Sequence, residues 1–275
     1  MDHAAMLLDH QVLNASNIHP TAVVAPGAQV APDAVVGPWC SVGPDVVLES
    51  GVRLISHVVV DGHTLIGAGA VVYPFVTIGM APQDLKYKGE PTETVIGART
   101  QIREHCTIHR GTVTGRGITH VGADCLIMAV AHVAHDCQVG DHVIIANNAV
   151  MGGHVSIADH AVIGGAAAIH QFVRIGRAAM IGGVSGVEAD VIPFGSVIGN
   201  RARLAGLNVI GLKRRGFDKT QIGRLHTAFR ALFRHEGVFK QRLEEMRAQY
   251  GEDPLVAEVL AFIDAPSHRG LIRAE

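Results

Sequence analysis

An aliphatic residue returns at every sixth position along most of this chain. Beginning at Ile18, the step falls on Val24, Val30, Val36, Val42, Leu48, Leu54, Val60, Ile66, Val72 and Ile78. It resumes at Ile96, Ile102 and Ile108, then runs from Val121 through Ile127, Val133, Val139, Ile145, Met151, Ile157, Ile163, Ile169, Ile175 and Ile181 to Val187. Eleven of these 26 positions are followed directly by Gly, far more than 32 glycines in 275 residues supply by chance. A period of six matches neither the 3.6 of a helix nor the 2 of a simple strand. It fits a parallel β-solenoid, with short strands, one inward aliphatic side chain each, and Gly or another small residue where the backbone turns. With three strands per coil, a coil of about 18 residues rises about 4.8 Å, so eight to nine coils make a prism on the order of 40 Å tall.

Two segments leave the step: residues 80–94, MAPQDLKYKGEPTET, and residues 111–120, GTVTGRGITH. Insertions in a solenoid emerge as loops on one face, often the binding face. After Pro193 the pattern changes to helical spacing. Ile222, Leu225, Phe229, Leu232 and Phe233 predict a helix from Asp218 onward, Leu243, Met246 and Tyr250 a second, and Leu255, Val256, Val259, Leu260 and Ile263 a third after Pro254. The organisation expected is an N-terminal extension over 1–17, the solenoid over 18–195, and a helical domain over 196–275 that caps its open end.

Composition agrees with a solenoid, since stacked aliphatic columns need no large aromatics: 48% of residues are hydrophobic but only 4% aromatic. A net charge of −2 gives no nucleic-acid signature. No window approaches 18 consecutive apolar residues, so no integral membrane segment is expected. Cys40, Cys106, Cys125 and Cys137 form no CxxC pair and read as free buried thiols in a reducing compartment. The opening MDHAAMLLDHQVLNASNIHP has no basic leader before its short apolar stretch. The expectation is a cytoplasmic protein.

Candidate chemistry lies among the 17 histidines. In an 18-residue frame Gly153 stands one coil above His135, and Gln171 two coils above. The missing side chain at Gly153 leaves room beside the imidazole and exposes a backbone N–H. A base, a side-chain donor and a free amide are the parts an acyl transfer needs.

Several local sequences occur together and in order: QDLKY (83–87), TIHRGT (107–112), AHVAHDC (131–137), GGHVS (152–156), HQF (170–172) and GLKRRGF (211–217). With the hexads and the helical tail, the chain from about Ile18 to Arg273 closely resembles the bacterial UDP-N-acetylglucosamine acyltransferases of lipid A synthesis. The resemblance implies a left-handed parallel β-helix and a homotrimer with active sites between subunits. The usual crossover preference alone would point to the other hand. It implies transfer of an (R)-3-hydroxyacyl group from acyl carrier protein to the glucosamine 3-hydroxyl of UDP-N-acetylglucosamine. No metal or cofactor is implied beyond the carrier's phosphopantetheine thioester.

By the same resemblance His135 is the general base, Asp136 holds its imidazole, and the Gly153 N–H receives the oxyanion. Asp84, Lys86, His132, His154 and Gln171 match sugar and acyl-pocket positions, and His109 another active-site histidine, with His170 beside Gln171. Asn208, Arg214 and Arg215 match the nucleotide–phosphate end, and Gly183 the stop for the acyl tail. The chain departs from the family pattern where Val209 and Ile210 stand in place of an acidic sugar-nucleotide contact. Lys213, Arg214, Arg215 and Lys219, with Arg201 and Arg203, are expected to form one basic cluster for the carrier or the phosphates. Two other readings stay open at this point. One is a hexapeptide acetyltransferase using acetyl-coenzyme A. The other is a γ-type carbonic anhydrase with His105 and His109, or His132 and His135, as metal ligands.

Overall fold

The computed structural model describes residues 17–233 and 237–274, so the expected N-terminal extension lies, but for Asn17, outside the described residues. Strands of two to five residues build three sheets of nine, eight and ten strands among the described residues, and up to the last two strands of the ten-stranded sheet a strand's neighbours are those three places away in the chain. Pairing is parallel except for a closing antiparallel hairpin, Gly195–Ile198 with Arg203–Leu207. The register repeats every coil: Val133 lies beside Met151, and Met151 beside Ile169. The six-step aliphatics point inward, and Ile96, Ile108, Ile127, Ile145 and Ile163 are wholly buried in one continuous core.

The corners differ from expectation. The third residue after an inward aliphatic adopts left-handed backbone, and large side chains occupy it: Trp39 (φ 60°), Phe75 (φ 64°), Asp136 (φ 60°), His154 (φ 64°) and Phe172 (φ 66°). Coil-to-coil bonds such as His154 N–H to His135 O (3.0 Å) and Phe172 N–H to Gly153 O (3.1 Å) hold this conformation, which costs a non-glycine residue of order 1–3 kcal/mol. The glycines that follow the inward aliphatics serve a different purpose. A Cβ on Gly97 would stand 2.4 Å from the carbonyl carbon of Gly122 one coil on. Close approach of backbones, not a positive φ, selects glycine there.

Both insertions leave the prism without breaking its ladder. Ile96 pairs with Ile66 before it and with Val121 after it, and the extruded segments are 81–92 and 110–117, shorter than the 80–94 and 111–120 expected, because Glu93–Ile96 and Ile118–Val121 pair along their whole length as ladder strands. Among the described residues the tail holds four helices, α1 (Val209–Arg214), α2 (Lys219–Phe233), α3 (Phe239–Tyr250) and α4 (Pro254–Asp264). The last three match the apolar spacing, and Asp253 caps α4 by accepting from the N–H groups of Leu255 and Val256. The short α1 went unforeseen, because its start is set by Asn208, whose Oδ1 accepts from Gly211 N–H at 2.9 Å. Beyond α4 the chain returns to the solenoid: Asp190 N–H donates to Gly270 O (2.8 Å) and Leu204 N–H to Arg273 O (2.9 Å). All four cysteines are free and buried, as expected.

Truncating one inward rung tests this core. Ile145→Ala leaves a cavity with no flexible neighbour to fill it and is expected to cost about 2–5 kcal/mol in urea unfolding.

Candidate active site

His135 and Asp136 occupy the corner between the strands His132–Val133 and Gln138–Val139. The His135 Nδ1 lies 2.9 Å from Asp136 Oδ2. Asp136 is wholly buried, and the second insertion closes around its carboxylate. Thr112 donates its hydroxyl to Oδ2 at 2.6 Å and its N–H to both oxygens at 3.2 Å. Arg116 N–H (2.8 Å) and Gly117 N–H (3.0 Å) donate to Oδ1. Gly115 is required by space, because a Cβ there would stand 2.4 Å from the carboxylate. Burial alone would raise the Asp136 pKa, but His135, the Thr112 hydroxyl and these amides outweigh it and hold the acid at about 2. Asp136 is therefore a carboxylate at any working pH. It fixes the proton of His135 on Nδ1 and leaves Nε2 free to act as a base.

Gly153 lies over the His135 ring: a Cβ there would come within 2.5 Å of Cε1. Gly152 N–H and His154 N–H are bound to Ile169 O and His135 O, whereas no partner takes the Gly153 N–H among the described residues. His154 meets His135 edge to face, with centroids 5.0 Å apart, and stacks on Phe172 at 4.4 Å. Burial keeps His154 below the ordinary histidine range, against the pull of the Asp136 carboxylate in the other direction.

His135, His154 and Phe172 border a cleft of about 900 Å³ that also takes in Asp84 and Lys86 of the first insertion, Gln171, Arg116, Arg174 and His268. Thus Asp84, Lys86, His135, His154 and Gln171 come together as the sequence suggests. His132 and His109 lie on neighbouring strands just below, their rings 4.9 Å apart. His132 is held by the Thr107 hydroxyl at 2.7 Å, and its basicity is lowered by burial first and by His135 second. His109 is more deeply buried, which with His132 and His135 pushes its pKa down to about 4. His170 turns to the Arg269 guanidinium instead.

The remaining candidates lie elsewhere. Asn208, Arg214 and Arg215 border a second cleft of about 700 Å³ on the ten-stranded sheet, with Ile210 and His160. The Asn208 amide is used internally, capping α1 and donating to Ala178 O at 3.0 Å, and Arg215 donates to Gly211 O (3.0 Å) and His160 O (2.5 Å). Gly183 is exposed and borders neither cleft. The single basic cluster expected from sequence does not form: Arg201 and Arg203 line a separate groove with Arg269 and Arg273. The hairpin and α1 carry the two groups to different faces. Sequence reasoning missed Thr112, Gly115, Arg116, Phe172, Arg174 and His268. The GTVTGRG insertion was the one signal for the first three.

His135, Asp136 and His154 are also close enough to be weighed as metal ligands, their donor atoms lying within 4.8 Å. The donors already on Asp136 leave its carboxylate little capacity for an ion, and neither histidine pair offered for an anhydrase coincides with this group. The thiol of Cys137, adjacent in sequence, is pushed up to about 12 by burial and is no nucleophile.

Comparison with known proteins gives the family and the fold. Residues 190–272 match the family model described as UDP N-acetylglucosamine O-acyltransferase, domain 2, and residues 118–153 the bacterial transferase hexapeptide model. The acyl-[acyl-carrier-protein]–UDP-N-acetylglucosamine O-acyltransferase of Caulobacter vibrioides is 52% identical, covering 94% of this chain and 98% of that protein. Its Rickettsia conorii counterpart is 51% identical over 96% of this chain and all of its own length. The solved LpxA of Acinetobacter baumannii superposes with a TM-score of 0.90 at 40% identity, covering 93% of this chain and 99% of its own. The shared fold is the left-handed parallel β-helix with a helical C-terminal region.

The buried carboxylate makes stability depend on acidity. Its pKa is lowered on folding from 3.8 to about 2, so its contribution, about 2 kcal/mol, is present above the unfolded value and lost as pH falls through the folded one. Asp136→Asn should melt well below the wild type at pH 7, and the gap should shrink as pH approaches 2. A gap that stays constant with pH would remove Asp136 as its source.

Proposed function

The chain belongs to the family of acyl-[acyl-carrier-protein]–UDP-N-acetylglucosamine O-acyltransferases, and from that premise we propose that His135 is the general base of its reaction. The enzyme moves an acyl chain from acyl carrier protein to UDP-N-acetylglucosamine, the opening step of lipid A synthesis. Neither alternative reading is supported: the named relatives take acyl carrier protein, not acetyl-coenzyme A, and none of them is an anhydrase.

The observation that carries the proposal is the His135–Asp136 pair under Gly153. Nε2 of His135 removes the proton of the glucosamine 3-hydroxyl as that oxygen attacks the carbonyl of the (R)-3-hydroxyacyl thioester. The carbonyl becomes a tetrahedral oxyanion that accepts from the Gly153 N–H, with the Asp136 carboxylate stabilising the imidazolium. Collapse restores the carbonyl and breaks the carbon–sulfur bond. The proton on Nε2 goes to the departing thiolate of the carrier's phosphopantetheine. No acyl-enzyme and no metal or added cofactor enters this scheme.

Lys86 and Asp84, on the first insertion, serve the sugar from across the cleft, with His154 and Gln171. His109 and His132, disfavoured as cations, serve as neutral hydrogen-bonding groups near the acyl end. Arg214 and Arg215 serve the nucleotide from the second cleft, with α1 positioned by Asn208. That division supports a homotrimer, because two clefts on different faces of one prism can be brought together by a neighbouring subunit. Among the described residues no helix is long and apolar enough to cross a membrane, and we place the enzyme in the cytoplasm, where its carrier-bound donor is made.

His135→Ala should lose about 10² to 10⁴ in turnover while the protein stays folded; near-normal turnover would remove His135 from the role. Chain length is assigned to Gly183. A Cβ there would meet only the Gly165 backbone, its O at 3.3 Å and its N at 3.9 Å, so Gly183→Met should fold and fill the space that glycine leaves open. The wild type is expected to prefer a donor of about fourteen carbons over one of ten by roughly 10² in kcat/KM, from four methylenes at about 0.8 kcal/mol each. The Met variant should reverse that order in competition assays. A Met variant that keeps the longer donor would place the stop elsewhere.

A further inference from the structure

The two oxygens of the Asp136 carboxylate are served from different sides. Oδ1 accepts from the N–H groups of Arg116 and Gly117. Oδ2 is shared by two side chains, the Thr112 hydroxyl at 2.6 Å and His135 Nδ1 at 2.9 Å. A carboxylate oxygen offers two lone pairs. With the hydroxyl on one of them, the other is left for Nδ1. A competitor stands close by, since His154 Nδ1 lies 3.8 Å from the same oxygen while its ring stacks on Phe172.

Thr112 is only 2% exposed, so solvent does not stand in for its hydroxyl. Its backbone is fastened independently of that hydroxyl. Gly111 N–H donates to Glu93 O at 3.1 Å, and Thr92 Oγ1 donates to Gly111 O at 2.6 Å. The Thr112 carbonyl accepts from Gly115 N–H and Gly117 N–H, both at 3.0 Å. A hydroxyl has one proton to give, and here the carboxylate takes it. Thr114 Oγ1, 3.4 Å away, is then the donor to Thr112. Just past the insertion Thr119 completes the bracket, its hydroxyl accepting from Asp136 N–H at 2.8 Å.

We propose that Thr112 is the positioning residue that reserves Asp136 Oδ2 for His135, a reading that rests on His135 being the base. By occupying one lone pair, its hydroxyl directs the other at Nδ1 and keeps His154 from claiming the oxygen. His154 then stays against Phe172, and the Nε2 of His135 keeps its aim. Thr112 itself acts through Asp136 alone. Exchanging its hydroxyl for a methyl leaves the amide donors in place but frees Oδ2 to turn to either imidazole.

The test is a double-mutant cycle on the full-length enzyme at saturating UDP-N-acetylglucosamine. Thr112→Val keeps the shape of the side chain and removes the donor. It should lower kcat about tenfold, because a hydrogen bond to a charged group is lost. KM for the carrier-borne donor should hold, and Thr112→Ser should restore turnover. In an Asp136→Asn background, where an amide replaces the shared oxygen, Thr112→Val should cost less than about twofold more. The assignment is overturned by an unchanged kcat in folded Thr112→Val, by an equal loss in both backgrounds, or by a Thr112→Ser enzyme as slow as Thr112→Val. If Thr112→Val does not fold, Thr112→Ala carries the same cycle. Failure of the underlying base assignment is distinct, because His135→Ala would then keep its turnover.

Discussion

The rise of one coil on the next is a single distance, set by parallel backbone hydrogen bonds about 4.8 Å apart, and it decides what this chain does with every residue it adds. A position on one coil lies under its counterpart 18 residues later, as Val133 lies under Met151 and Met151 under Ile169. Side chains pointing inward can only stack, so the core is a column of Ile and Val. Residues beyond the coil length have no room inside the ladder and must leave it. Both insertions do so, and both end beside the same corner, one bringing Asp84 and Lys86 and the other closing on Asp136. A rigid column thus positions His135, Gly153 and Gln171 without any of them being held by a loop.

Burial does opposite work on two kinds of group at this corner. A buried charge costs several kcal/mol unless donors replace the lost water. Asp136 receives hydroxyl, amide and imidazole donors and stays ionised, whereas His109, Cys106 and Cys137 receive too little compensation and are driven toward their neutral forms. The site therefore concentrates one fixed negative charge beside His135, the base of the proposed scheme. The histidines around it stay uncharged. Burial first, and the neighbouring imidazoles second, lower the basicity of His109 and His132 and so keep further positive charge away from the corner.

The hexads made the prism legible, since each rung is a local choice repeated, and the apolar stripes made three of the four helices legible for the same reason. The role of 111–120 was not, because Thr112 and Asp136 meet only after the ladder has realigned across 24 residues. Corner residues were misread because side chains there point outward. Sequence alone does not tell that Trp39 or Phe172 takes a positive φ when the bonds on either side enforce it. His268 was invisible. It reaches the cleft because Ser267 donates to the buried Asp190 at 2.6 Å, an anchor 77 residues away. The basic cluster failed for a related reason: neighbours in sequence such as Arg203 and Arg214 are separated by a hairpin strand and a capped helix.

The split of the functional residues between faces follows from the same geometry. A three-sided prism offers each strand one outward face, and a cleft made by one chain can draw on one corner and the faces beside it. His135, His154 and Gln171 share a corner, whereas Ile144, Val162 and Met180, which line the second cleft, face out from the ten-stranded sheet. The reacting sugar and the nucleotide lie at opposite ends of the substrate. A straight solenoid cannot fold back to bring its own faces together, because its ladder resists bending. Side-by-side packing of identical prisms achieves the same junction with no change in any coil. Under the proposed trimer each corner then meets the next subunit's sheet, and one chain supplies both halves of a site that it never completes alone.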